Sequence, residues 1–123
     1  MTSERGPAVP EGSQLDAEDA KLVTLARSAR ARNAAAEGAA VRDDTGRTYV
    51  ATTVSLAALR LSALQAAVAM AVASGASALE AAAVVTESEE LVDDDRAVVA
   101  ELGPRAPVFV ADPSGAVRST VDG

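Results

Sequence analysis

The chain has 123 residues, of which 49% are hydrophobic, and its 18 acidic and 11 basic residues give a formal net charge of −7. This length suits one domain with a core of its own, and the acidic balance argues against binding to nucleic acid polymers or anionic membranes. The absence of cysteine and histidine excludes disulfides, thiol catalysis, thiolate metal sites and imidazole as a ligand or general base.

Residues 1–13 combine glycine and proline with small and charged residues and show no apolar period. This composition predicts a disordered N-terminal tail, followed by a single domain over residues 14–123. The N-terminal stretch lacks the basic-then-apolar layout of a signal peptide, and no apolar run is long enough to span a membrane. We therefore expect a cytoplasmic protein.

An amphipathic helix is expected directly after the tail. Ser13 is the candidate N-cap, Asp16 follows three residues later, and leucines and alanines recur at helical spacing. Acidic residues lie early and arginines late, which complements the helix dipole. The pattern predicts an end between Asn33 and Gly38.

A β-hairpin and a second helix follow. The hairpin is expected because β-prone runs over residues 39–42 and 47–53 flank a turn that contains Gly46. The alanine-rich stretch over about residues 57–74 predicts a helix buried on most faces, and Gly75 is the expected residue just after its end.

The remaining elements alternate between strands and helices. We expect a strand near residues 81–85, an acidic loop over 87–95, a helix over 95–102 closed by Gly103 and Pro104, and a final strand, turn and strand. Strands that alternate with helices imply a central sheet covered by helices on both faces. The predicted fold is a three-layer α/β/α sandwich with a mixed central sheet of about five strands.

Three strings carry a resemblance to a known family. They are GAAVRDDTGRTYVATTVS, SALQAAVAMAVASG and AVVAELGPRAPVFVADPSGAVR. In that order, they are similar to the hairpin, the central helix and the C-terminal helix, strand and turn of cytidine deaminases, which hydrolyse the 4-amino group of cytidine with a bound zinc. The third string is the most specific, and the resemblance covers about residues 20–118. It implies the cytidine deaminase-like fold.

The chemistry of that family depends on a zinc site that this chain does not reproduce. In the family, a Cys or His on the central helix and two loop Cys hold the zinc, and a Glu on the helix moves protons. The resemblance puts Ser62 at the first ligand position and Leu64 at the Glu position, whereas an ungapped alignment from the hairpin gives Leu64, Gln65 and Ala66 instead. The second and third ligands fall on Val92 and Asp95.

Only one of the three aligned positions, that of Asp95, carries a reasonable zinc ligand, and zinc catalysis ordinarily uses three protein ligands plus water. Without zinc to lower the pKa of the attacking water, the hydroxide available at neutral pH is less abundant by a factor on the order of 10⁹. We therefore expect no metal cofactor, no metal site and no catalytic residues. The Asn and Glu that hold the ribose in the family fall on Thr53 and Ser55, so we also expect no substrate-binding residues.

The acidic residues of the loop over 87–95 and of the hairpin turn allow two interpretations, a metal site or a structural role. The loop over 87–95 could bind a divalent cation through hard oxygens, but it lacks the glycine-punctuated spacing of a calcium loop. The preferred interpretation is that Asp93 or Asp94 caps the following helix. The hairpin turn likewise explains Asp43 and Asp44 better than a metal does.

These observations favour a non-catalytic protein with a cytidine deaminase-like fold that acts through self-association or other protein–protein contacts. A diverged nucleoside deaminase and a nucleoside-sensing module are the alternatives. Tyr49 and Phe109 are the only aromatic residues, so Val, Leu and Ala must build the core, and we expect a homo-oligomer, a dimer or tetramer, to supply part of the stability. A further protein partner is left open.

Overall fold

The computed structural model describes residues 15–122, which form three helices and seven strands. The predicted tail over residues 1–13 lies outside the described residues. The elements in chain order are α1 (Ala17–Asn33), β1 (Gly38–Asp43), β2 (Thr48–Thr52), β3 (Val54–Ser55), β4 (Arg60–Leu61), α2 (Ala63–Ala73), β5 (Leu79–Val85), α3 (Asp93–Leu102), β6 (Pro107–Ala111) and β7 (Val117–Asp122).

Five of the strands form one mixed sheet in the order β2-β1-β5-β6-β7, and β3 pairs with β4 in a separate short hairpin. Within the large sheet, only β5 and β6 run parallel, because α3 connects them as a crossover. The other neighbours pair antiparallel. The predicted mixed sheet of about five strands is confirmed.

The strands bury both faces of the sheet, since side chains alternate between two apolar clusters. On one face, Leu22 and Ala26 of α1 pack against Phe109 and its neighbours. On the other face, Leu64 of α2 and Val99 of α3 pack against the opposite side chains of the same strands. One helix on one face and two on the other make the three-layer α/β/α arrangement, as predicted from the element order.

Small residues let α1 approach the sheet closely. A Cβ atom at Gly38 would lie 2.1 Å from the backbone oxygen of Ala26, so only glycine fits at the start of β1 without moving a backbone. Alanines fill much of the interior in both clusters. The chain thus compensates for its lack of aromatic residues by close approach of backbones.

The first helix begins later than predicted. Asp16 is the N-cap of α1, and its carboxylate accepts a hydrogen bond from the backbone N–H of Asp19 at 2.9 Å. Ser13, the predicted N-cap, lies outside the described residues. The helix ends at Asn33, where the expected range began, because Ala34 adopts a left-handed conformation with φ of 50°.

The second helix differs from the prediction in its start. Residues 54–61, which were expected to include the first turn of this helix, instead form the β3–β4 hairpin, closed by a hydrogen bond from the Leu56 N–H to the Leu59 carbonyl. Ser62 then caps α2. The predicted end is confirmed, since Gly75 follows the helix with a φ of +102°.

The third helix begins at Asp93, and its N-cap is Val92, which makes no side-chain capping bond. The prediction that Asp93 or Asp94 is the N-cap was therefore wrong. All three aspartates lie inside the first turn, where negative charge is stabilised by the helix dipole. No helix among residues 15–122 is both long enough and apolar enough to cross a membrane.

Candidate functional site

The N-termini of α2 and α3 meet on one side of the sheet. There the Ser62 hydroxyl donates a hydrogen bond of 2.7 Å to Oδ1 of Asp95, although the two residues are 33 positions apart. Asp95 is only 4% exposed, and Ser62 is half-buried. The structure thus brings together two of the three positions at which the resemblance places zinc ligands.

Val92, at the remaining ligand position, lies beside Asp95 at the start of α3. Its backbone oxygen accepts a hydrogen bond from the Asp95 N–H at 3.1 Å, and both residues line a small cavity of about 100 Å³. The Val92 side chain is 57% exposed. An isopropyl group has no lone pair to give to a metal.

Leu64, at the position aligned with the proton-moving Glu, has no exposed surface. Its side chain belongs to the apolar cluster between α2, α3 and the sheet. In the ungapped alternative, the Glu position falls on Ala66, which is buried, and Gln65 before it accepts a hydrogen bond from the Ser62 N–H at 2.9 Å. Neither alignment brings a carboxylate of α2 to the junction of the two helices.

A larger cavity of about 570 Å³ opens beside this junction. It is lined by Thr53 and Ser55, the positions aligned with the ribose-holding residues, and by Ser62. The Thr53 hydroxyl accepts a hydrogen bond of 3.0 Å from the Glu37 N–H, which ties the end of β2 to the start of β1. The Ser62 hydroxyl already donates its proton to Asp95 and accepts the Gln65 N–H, so it has no second proton to donate to a ligand in the cavity.

Sequence reasoning missed several other residues that line the larger cavity. Thr86, which is only 6% exposed, directly follows β5. Because ligands of α/β sheets bind outside the carboxyl ends of strands, its position after a predicted strand could have identified Thr86 from the sequence. Glu37 directly precedes β1, and Arg60 is the first residue of β4. Arg30 of α1 lies 3.5 Å from the Glu87 carboxylate in an ion pair at the rim.

The residues at this junction do not fit a zinc ion. A hydroxyl, an isopropyl group and one carboxylate replace the set of three protein ligands that catalytic zinc requires. Among residues 15–122, no three acidic side chains converge so that they could hold a metal ion. The acidic side chains of the loop over 87–95 other than Asp95 are exposed.

The acidic residues of the β1–β2 turn have a structural role. The Asp43 carboxylate, which is buried, accepts hydrogen bonds from the hydroxyl and N–H of Thr45, from the Arg47 N–H and from the Tyr49 hydroxyl. The Thr45 hydroxyl contributes most to holding the pKa of Asp43 below its ordinary value. Burial, together with Asp43, raises the pKa of Tyr49. The turn therefore organises the hairpin, in agreement with its interpretation from the sequence.

A family model described as cytidine deaminase-like matches residues 15–115. This chain belongs to the cytidine deaminase-like family. The match spans α1 to the last turn of the sheet, so it includes both helix N-termini at the junction. Comparison with curated protein sequences gives no match.

Solved cytidine deaminases share the fold of this family member. The enzyme from Burkholderia pseudomallei is 26% identical with a TM-score of 0.72, over 83% of this chain and 90% of that one. The Mycobacterium leprae enzyme is 25% identical with a TM-score of 0.64, over 81% and 90%. The Mycobacterium tuberculosis enzyme is 25% identical with a TM-score of 0.61, over 80% and 86%.

Proposed function

We propose that this chain is a non-catalytic member of the cytidine deaminase-like family that acts by associating with a second copy of itself. The proposal rests on one observation above all: Ser62 and Asp95 are hydrogen-bonded to each other at the aligned ligand positions. Leu64 supports it, because its buried side chain cannot transfer protons. A deaminase would need both a metal-activated water and a proton carrier at this place.

The outer face of α2 supports self-association. Its exposed residues in the second half of the helix are Ala69, Met70, Val72 and Ala73, and Met70 and Val72 are 46% and 51% exposed. The 11 residues of α2 contain no ionisable side chain, whereas α1 and α3 both carry several. A surface helix normally turns charged residues toward water, so this face is suited to contact with protein.

A second copy fits this face better than an unrelated partner of opposite charge. In a two-fold symmetric interface the same patch meets itself, so any charge on it would oppose an identical charge. Two chains with a net charge of −7 also repel each other at long range. An uncharged, apolar contact surface places no like charges opposite each other at the interface. Its burial also provides hydrophobic energy that offsets the long-range repulsion between the two chains.

The absence of catalysis is tested on purified protein by measuring zinc content by elemental analysis and uridine release from cytidine. We expect substoichiometric zinc and no uridine above the uncatalysed rate, before and after incubation with zinc. Stoichiometric zinc together with uridine release would instead establish the alternative, a diverged deaminase.

Self-association is tested by light scattering coupled to gel filtration at about 100 μM protein. We expect the unmodified chain to be dimeric or larger and the Met70→Glu/Val72→Glu variant to be monomeric, with an unchanged circular dichroism spectrum. Leu59→Glu is the matched control, since Leu59 is also exposed but lies on the β3–β4 turn. A monomeric unmodified chain, or a variant of unchanged mass, contradicts the proposal.

The cavity of about 570 Å³ supports a second candidate function, a nucleoside-sensing module. Its volume falls in the range of small-molecule sites, and polar side chains line it, among them Ser55, whose hydroxyl suits a ligand that itself carries hydroxyl groups. Thermal-shift measurements with nucleosides at millimolar concentration test this function, with Ser55→Leu as a variant that fills the cavity. No shift for the unmodified chain counts against it.

A further inference from the structure

The N-termini of α2 and α3 share a single carboxylate. Asp95 occupies the third helical position of α3, and its Oδ1 atom accepts the hydrogen bond from the Ser62 hydroxyl, which caps α2. Both helices begin at this point with their backbone N–H groups and the positive ends of their dipoles. One buried negative charge therefore lies where two helix N-termini meet.

On the α2 side, Asp95 determines how the capping hydroxyl is used. The Ser62 oxygen accepts the backbone N–H of Gln65 at 3.0 Å, and the Gln65 side chain accepts the Ser62 N–H at 2.9 Å in a complete capping box. A hydroxyl has only one proton to donate. Because that proton goes to Asp95, an oxygen lone pair remains directed at the first turn of α2.

On the α3 side, Asp95 acts at a helix with no side-chain cap. Val92 supplies no capping oxygen, so acidic groups in the first turn are the means by which this N-terminus is stabilised. Asp93 and Asp94 are exposed, whereas Asp95 is buried. Only Asp95 therefore combines a first-turn charge with a contact to another element.

We infer that Ser62 and Asp95 form a metal-free link that joins α2 to α3 at the place where the family resemblance puts zinc. The inference rests on the proposed loss of zinc and deepens it. A metal joins two helices by taking ligands from both, and here a hydrogen bond to a shared carboxylate makes that connection. Val92 lies beside this link, since its backbone oxygen accepts the Asp95 N–H and both residues line the same small cavity.

Two consequences follow from this link. Folding of the chain is independent of divalent metals, since protein groups alone hold the two helix N-termini together. Cysteines introduced together at residues 62, 92 and 95 should also hold one zinc ion, because Ser62 contacts Asp95 and Val92 lies beside Asp95.

The first consequence is tested by a double-mutant cycle measured by thermal unfolding. We expect Asp95→Ala to lower Tm by roughly 5–10 °C and Ser62→Ala to lower it comparably. The double variant should lose less than the sum, because both changes remove the same hydrogen bond. Asp95→Asn keeps an oxygen acceptor for Ser62 and should fall between Asp95→Ala and the unmodified chain.

Asp94→Ala is the matched control, since Asp94 lies in the same first turn, is exposed and makes no hydrogen bond to Ser62. We expect it to lower Tm by less than about 3 °C. Additive losses in the cycle, or equal losses for Asp95→Ala and Asp94→Ala, would overturn the link. A lower Tm of the unmodified chain in EDTA would do so as well.

The second consequence is tested with the triple variant Ser62→Cys/Val92→Cys/Asp95→Cys under reducing conditions. We expect about one zinc per chain to survive gel filtration and Tm to rise on addition of zinc. The variant with alanine at all three positions is the control and should retain none. A triple cysteine variant that holds no zinc, whether it folds or not when refolded with the metal, overturns the inferred arrangement.

Uridine release with stoichiometric zinc would overturn the proposed function. An inactive, zinc-free chain with an additive mutant cycle would leave that function standing and overturn only the link.

Discussion

Replacing Leu64 by glutamate restores the proton-carrying side chain at the position where the family resemblance expects it. In this structure Leu64 has no exposed surface and packs in the apolar cluster between α2, α3 and the sheet. The substitution therefore tests whether the side chain at position 64 borders the cavity, as a catalytic Glu must, or belongs to the core.

The expected cost is large. Losing the burial of a leucine side chain costs about 2–3 kcal/mol, and removing a carboxyl group from water without a partner adds about 3 kcal/mol or more. The sum, about 5 kcal/mol or more, is a major part of the 5–15 kcal/mol by which a typical domain is stable. Leu64→Met keeps the volume and should cost less than about 1.5 kcal/mol.

The loss of stability in the Leu64→Glu variant should also depend on pH. Burial raises the pKa of the introduced carboxyl above its value in the unfolded chain, so the folded state holds a proton that the unfolded state releases. The variant is therefore least destabilised at acidic pH, below the pKa of the unfolded chain, and loses stability as pH rises through the folded-state pKa.

Urea unfolding followed by circular dichroism at pH 5 and pH 8 measures both effects. Leu59→Glu, at an exposed apolar position, controls for the added charge and should change the free energy of unfolding by about 0.5 kcal/mol or less. A Leu64→Glu variant that is as stable as the unmodified chain at both pH values would refute the reasoning, since its side chain would then reach water.

Two further predictions concern the framework around the site. Gly38→Ala should lower the free energy of unfolding by about 2–3 kcal/mol, because its Cβ would lie 2.1 Å from the Ala26 carbonyl oxygen. Gly46→Ala is the control, since Gly46 has a φ of +90° but open space around it, and should lower the free energy of unfolding by only about 1 kcal/mol. Equal losses for the two variants in urea unfolding would contradict this prediction. The pKa of Asp43 is lowered mainly by the Thr45 hydroxyl, so the stability that it contributes is present at neutral pH and is lost as pH falls below the ordinary value of 3.8. The Tm of Asp43→Asn should accordingly lie below that of the unmodified chain at pH 7 and approach it in acid, and a constant difference would speak against the hydrogen-bonded carboxylate.

The element prediction failed where local pattern and tertiary contacts disagreed. Apolar residues over 56–61 extend the helical pattern of α2 toward its N-terminus, and their side chains suit a helix well. The structure instead turns these residues into a hairpin that leaves Leu56 and Leu59 exposed. The capping box of Ser62 marks the true start of the helix, and the serine, glutamine and spacing that form it are visible in the sequence.

The start of α3 illustrates a different limit. Sequence preference favours an aspartate as N-cap over valine, yet Val92 occupies that position and the aspartates follow inside the helix. Asp95 lies inside the first turn, where it is buried and accepts the hydrogen bond of the Ser62 hydroxyl. Contacts made by the folded chain thus override the local capping preference.

By itself, the sequence determined the order of the three helices and of the five strands of the large sheet, the helix end before Gly75 and the absence of any thiolate or imidazole ligand. These properties depend on residue type and on spacing along the chain, which need no knowledge of the fold. Only the tertiary structure decided that Ser62 meets Asp95, that Leu64 is core and that Thr53 and Thr86 line one cavity. The physical reason is that sheet order and helix packing bring together residues that lie tens of positions apart, and no local pattern encodes those distances.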